Sequence, residues 1–167
     1  MRARKSDRRK FFSRALGGAA VAGAATLASP RAAAAAKQKP GKMIITRPGE
    51  TLSPTAVLSP GVRYGNLLFI SGAGAHDPKT HQVVEGPIGN QVRQCLENLK
   101  TVLEAAGSSL DRVLKCTVFL TDISTFQDMN QVYHTFFKND PPARSTIAVK
   151  DLPGNSPVEI ECYAYVD

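Results

Sequence analysis

The chain has 167 residues, 43% of them hydrophobic, with 21 Lys and Arg against 14 Asp and Glu and a formal charge of +7. Eight of the basic residues and a single acid, Asp7, fall in the first 36 positions, so the remainder holds 13 basic and 13 acidic residues and no net charge. A nucleic-acid binder needs a basic surface, because phosphate neutralisation supplies most of its non-specific affinity, and outside the first 36 residues no such excess exists.

Those first 36 residues read as an export signal. Paired arginines and an aromatic pair occur in Asp7-Arg8-Arg9-Lys10-Phe11-Phe12-Ser13. An uncharged Ala/Gly-rich stretch runs from Ala15 to Ser29, and Ala32 to Ala36 offer small-residue cleavage sites. Basic, then apolar, then small is the order of a secretory signal. The double Arg and the modest hydrophobicity favour the twin-arginine route. The stretch is too short and too weakly apolar to span a bilayer. The expectation is a periplasmic or secreted protein with no membrane association after the signal is removed. Residues 37–42 read as a polar leader and 43–167 as one domain of ordinary size.

Within the domain, Met43 to Thr46 and Gly61 to Tyr64 are short strand candidates, and Leu67 to Ser71 is a continuous apolar strand expected near the centre of a sheet. Asp77-Pro78-Lys79-Thr80 is a turn. Ile88, Val92, Leu96, Leu99, Val102, Leu103 and Ala106 recur at helical spacing, and Gly107 is placed to end that helix in a left-handed conformation. Arg112 to Leu120 reads as a buried strand. Asp122 and Ser124 are candidate caps for a second helix, whose stripe of Phe126, Met129, Val132, Tyr133, Phe136 and Phe137 reads as core. Ser145 to Val149 and Val158 to Val166 close the sheet. Joined by the turn Leu152-Pro153-Gly154-Asn155, these two strands read as neighbours, which would bring Arg144 and Glu159 into one neighbourhood.

This order predicts an α+β fold, a mixed sheet with two α-helices packed on one face. Ile70, Val118, Leu120, Ile147 and Val149 are apolar positions that two helices leave partly uncovered, so the other face is expected to bury against further subunits. Cys95, Cys116 and Cys162 are odd in number, lack C-x-x-C spacing and read as small buried hydrophobes. His76, His81 and His134 show no metal-ligand spacing. Gly72-Ala73-Gly74 is no dinucleotide fingerprint, and Ser71 lacks the nucleophile elbow of a serine hydrolase.

Two residue types stand out near the C-terminus. Arg144, in Pro142-Ala143-Arg144-Ser145, carries a planar fork suited to a carboxylate. Its alternative reading is a structural ion pair with Glu159 or Glu161. Glu159 on a strand can polarise a water, or be a solvated strand carboxylate, and Glu161 has the same side-chain parity.

Over roughly residues 58 to 166 the chain resembles the Rid family, also called the YjgF family, of small imine deaminases. The resemblance runs through Gly65-Asn66-Leu67-Leu68-Phe69-Ile70-Ser71-Gly72, Asp77-Pro78-Lys79-Thr80, Asn98-Leu99-Lys100 to Gly107, Thr117 to Asp122, Asn130 to Phe137 and the Pro-Ala-Arg-Ser segment. It implies a chorismate-mutase-like domain in a homotrimer, with sites in the clefts between subunits and no metal or organic cofactor. It implies that Arg144 clamps the carboxylate of a 2-imino or 2-enamino acid and that Glu159, rather than Glu161, activates the attacking water. Ser71 and Asn130 fall on pocket positions. Leu58 stands where the family has an aromatic, usually Tyr, and Thr146 where a Cys follows Arg-Ser; both are counted as substrate-binding positions. The departures keep open a second reading, a non-catalytic trimer binding small carboxylates. RNA cleavage or translation inhibition, ascribed to some relatives, is disfavoured by the charge balance and the export signal.

Overall fold

The structure, a computed structural model, describes residues 41–167. The segment expected to be an export signal and most of the expected polar leader lie outside the described residues. Six strands and two helices follow in the order β1 (Lys42–Ile45), β2 (Gly61–Tyr64), β3 (Leu67–Gly74), α1 (Ile88–Ala105), β4 (Val113–Leu120), α2 (Phe126–Phe136), β5 (Ala143–Ala148) and β6 (Val158–Tyr165). The first strand thus takes in Lys42 from the predicted leader. The strands form one sheet in the order β1-β2-β3-β6-β4-β5, antiparallel except for the β4–β5 pair.

Local chemistry accounts for the element ends. Gly65, at φ +63°, turns the β2–β3 hairpin. At the end of α1 the Gly107 N–H donates to the Glu104 carbonyl and the Ser108 N–H to the Leu103 carbonyl, with Gly107 at φ +79°. This pair of bonds satisfies carbonyls that the helix itself leaves unpaired. Asp122 caps the 3-10 turn Ile123–Thr125 that leads into α2, accepting from the Ser124 N–H at 2.9 Å. Ser124 is not itself a cap; its hydroxyl donates to the same carboxylate at 2.7 Å.

Both helices pack on one sheet face. Val92, Cys95, Leu96, Leu99 and Leu103 of α1 and Met129 of α2 meet Leu68, Ile70, Val118, Leu120, Ile160 and Cys162, all buried. All three cysteines are free and buried, and burial pushes their thiols up.

Two sequence expectations need correction. Ile70, Val118 and Leu120 lie on the helix-covered face, not the open one. The open face presents Leu67, Phe69, Tyr163 and, as expected, Ile147, with exposures of 43–47%. The run Leu67-Leu68-Phe69-Ile70 is apolar on both sides, so alternation could not say which side meets the helices. The second correction concerns the last two strands. They are not neighbours, because β4 lies between them. The β4–α2–β5 crossover lays β5 parallel beside β4, and a helix-length connection is what parallel pairing requires.

Candidate functional site: two clefts on opposite faces

Cys116 of β4 lies opposite Arg144 of β5 on one side and Cys162 of β6 on the other, and it is buried on the helix side. Arg144 therefore projects toward α2. Glu159 lies three residues from Cys162 along β6, so strand alternation turns it to the open face. One intervening strand and opposite parity separate the two residues that sequence spacing had placed together.

Glu159 lines a cleft of about 580 Å³ with Leu58, Ser71, Gly72, His76 and Asn98 among its walls. The β3–β6 register shifts between Ile70 and Ala73, a bulge that re-aims Ser71 and Gly72. The Glu159 carboxyl lies over Gly72 so closely that any Cβ there would collide with it. Burial, and secondarily repulsion from Glu161, hold this carboxyl above the usual carboxylate range, while His76 opposes the shift. A carboxylate so held is a better proton acceptor than one in water. Ser71 ties down the preceding loop: its hydroxyl donates to the Ser59 carbonyl at 2.7 Å and its N–H to the Pro60 carbonyl at 3.0 Å. That loop presents Leu58, 63% exposed, at the cleft mouth.

Arg144 lines a second cleft, of about 400 Å³, with Asn130, Tyr133, His134, Phe137 and Pro142. Its Nη2 donates to Asn130 Oδ1 at 2.6 Å and its Nη1 lies 3.9 Å from Met129 Sδ. The guanidinium carbon stands 4.5 Å from the Tyr133 ring centre and 5.7 Å from that of Phe126. Among the described residues no carboxylate lies within ion-pair distance of it. The ion pair with Glu159 or Glu161 is therefore absent, and the cation is held by an amide and two ring faces. Asn130 serves the Arg144 cleft and Ser71 the Glu159 cleft. Thr146, two residues beyond Arg144 on the same face, has a buried hydroxyl with no partner among the described groups, as does Tyr133.

Sequence reasoning missed three contributors. Tyr133 was read as core alone, yet it also stacks on Arg144. Asn98 donates to the Gly74 and His76 carbonyls at 3.0 and 2.9 Å, fixing the far wall of the Glu159 cleft. His76 was weighed only as a metal ligand. Nothing in local spacing marks Asn98 or His76, because their partners come from other elements.

A mixed sheet with two helices on one face is the fold of the YjgF-like proteins. Residues 49–166 match the family model described as Endoribonuclease L-PSP, and the chain belongs to that family. It is 46% identical over 112 residues to a RutC family protein of Pyrococcus horikoshii, spanning 67% of this chain and 89% of the relative. It is 35% identical over 128 residues to the 2-iminobutanoate/2-iminopropanoate deaminase of Dermatophagoides farinae, spanning 75% and 98%. The crystal structure of the YjgF gene product from E. coli matches with a TM-score of 0.68 at 33% identity, covering 75% of this chain and 99% of that one.

Proposed function

We propose that the protein hydrolyses reactive 2-imino and 2-enamino acids to 2-keto acids and ammonia, as an exported homotrimer. The observation that carries this reading is Arg144: a guanidinium fixed by Asn130 and Tyr133, facing a cleft, with no protein carboxylate on it among the described residues. Its planar fork fits a substrate carboxylate. The name of the Dermatophagoides farinae relative supports the reaction class.

The same geometry supports assembly of several subunits. The two clefts open on opposite sheet faces, so one small substrate cannot touch both within a subunit. Seating the Arg144 cleft of one subunit against the Glu159 cleft of the next completes a site and covers the open apolar face. Arg144 then orients the substrate by its carboxylate. Glu159 takes a proton from water as the water oxygen bonds to the C=N carbon of the protonated imine, giving a neutral carbinolamine. Return of that proton to nitrogen lets the C–N bond break with its electron pair on ammonia, while an oxygen lone pair forms the C=O bond and the hydroxyl proton ends on the ammonia as ammonium. Free imines already hydrolyse in water, so orientation and modest electrostatic help suffice, and this chemistry requires neither metal nor organic cofactor.

Leu58 and Thr146 favour a second reading, a trimer that binds a small carboxylate without turnover. One assay separates the two. Imines are generated in situ by an amino-acid oxidase, and keto-acid release is followed with semicarbazide as competing trap. Acceleration by the wild type that Arg144→Ala lowers by about tenfold or more supports the deaminase. No acceleration across several side chains, with the oligomer intact, sinks it. Export has its own test: residues 1–36 fused to a reporter should deliver it outside the cytoplasm, and replacing Arg8 and Arg9 by Lys should stop delivery.

A further inference from the structure

Gly74 of β3 is the cross-strand neighbour of Glu159. Cross-strand neighbours share a face, and the space a Gly74 side chain would fill is taken by the imidazole of His76. Its Nδ1 lies 2.9 Å and its Cε1 3.1 Å from where a Cβ would stand on Gly74. The other edge of the ring abuts Gly154, whose Cβ would stand 2.5 Å from Nε2 and whose φ is +65°. Two glycines from separate segments thus form a slot for one half-buried imidazole in the cleft that Glu159 lines.

The slot also sets the tautomer. Nε2 lies 3.0 Å from the Gly154 carbonyl oxygen. A carbonyl only accepts, so Nε2 carries the hydrogen, and Nδ1 of the neutral ring keeps its lone pair. Asn98 holds the same segment through the Gly74 and His76 carbonyls. The other charged and titratable groups lining the cleft are Glu159 of β6, with Glu161 next along its open face, Arg47 and Glu50 from the segment after β1, and Asp77 and His81 from the turn that carries His76.

We propose that His76 is a second acid–base residue of the Glu159 cleft, accepting at Nδ1 the proton released when the carbinolamine collapses. The assignment rests on the imine-hydrolase reading and deepens it. Glu159 returns its proton to the carbinolamine nitrogen. The C–N bond then breaks with its electron pair leaving on ammonia, an oxygen lone pair forms the C=O bond, and the hydroxyl proton passes to His76 Nδ1. The imidazolium hands that proton to the departing ammonia. Iminium and water go in, keto acid and ammonium come out, and Glu159 never has to serve as donor and acceptor in one step.

The test follows kcat/KM against pH with 2-iminopropanoate made in situ from alanine by an amino-acid oxidase. His76→Gln should lose about tenfold or more. The slope of log kcat/KM at the acid end should fall from about two to about one, because one of two required bases is gone. Gly74→Ala keeps the histidine but fills its slot, and should show the same loss. Free imidazole should restore part of the rate to His76→Ala, which a merely structural role would not allow. Unchanged rate and slope in His76→Gln overturn the assignment, as does a loss in His76→Ala that imidazole leaves untouched. Thermal melting and oligomer mass identify any variant that fails to fold. A wild type inactive on this and other imines overturns the hydrolase reading and the assignment together, before any variant is compared.

Discussion

The guanidinium of Arg144 has rings and an amide for company but no anion among the described residues, which makes its substitution the sharpest single-residue test. Hydrogen bonds to a charged group contribute about 1.5–3 kcal/mol, so Arg144→Ala should lower kcat/KM by roughly 10- to 150-fold. Arg144→Lys keeps the charge but loses the fork and the stacking, and should fall between. Glu159 makes a prediction of opposite sign for stability. Its carboxyl titrates higher in the folded protein than in the unfolded chain. Its stabilising contribution is therefore fully present below the unfolded value and is lost as pH rises through the folded one. Glu159→Gln should abolish turnover yet raise Tm near neutral pH, with the gain shrinking as the solution is acidified; melts across that range check it. At this scale the Pro-Ala-Arg-Ser and Val-Glu-Ile-Glu segments made both residues legible. Their neighbours were not: the partners of His76 are Gly74 and Gly154, and only folding brings those together.

Among the elements, α1 was the most legible, because its apolar residues recur at 3.6-residue spacing and Gly107 marks its end. Gly107 sits in open space at φ +79°. A methyl group there meets no neighbour, and Gly107→Ala should cost only the backbone strain, about 1–2 kcal/mol in urea unfolding. The same substitution at Gly72 is a different experiment, because the Glu159 carboxyl occupies the space. Gly72→Ala should lower turnover more than stability, since what moves is the far end of a flexible side chain. The strands were legible as strands but not as neighbours. A turn between two strand-like runs reads as a hairpin from sequence, whereas the chain from β5 to β6 steps past β4.

Across the whole molecule, the open sheet face carries Leu67, Phe69, Ile147 and Tyr163, with Phe69 and Tyr163 edge-to-face at 5.5 Å. Large apolar side chains exposed on one sheet face mark an interaction surface. Sedimentation should give the mass of three chains. Charging the face by Phe69→Lys with Tyr163→Lys should release folded monomers, seen as retained circular dichroism at one third of the mass, and those monomers should be inactive because neither cleft is a site alone. The sequence by itself determined the elements, their α+β order and the two chemical groups. Helical periodicity, strand alternation and turn residues are local properties, and a guanidinium or carboxylate keeps its chemistry wherever it lies. Only the tertiary structure decided the strand order, the face each residue occupies and the division of Arg144 and Glu159 between two clefts. Pairing and parity depend on contacts between residues far apart in the chain: a single strand inserted between two others separates their side chains, and a shift of one residue moves a side chain to the opposite face.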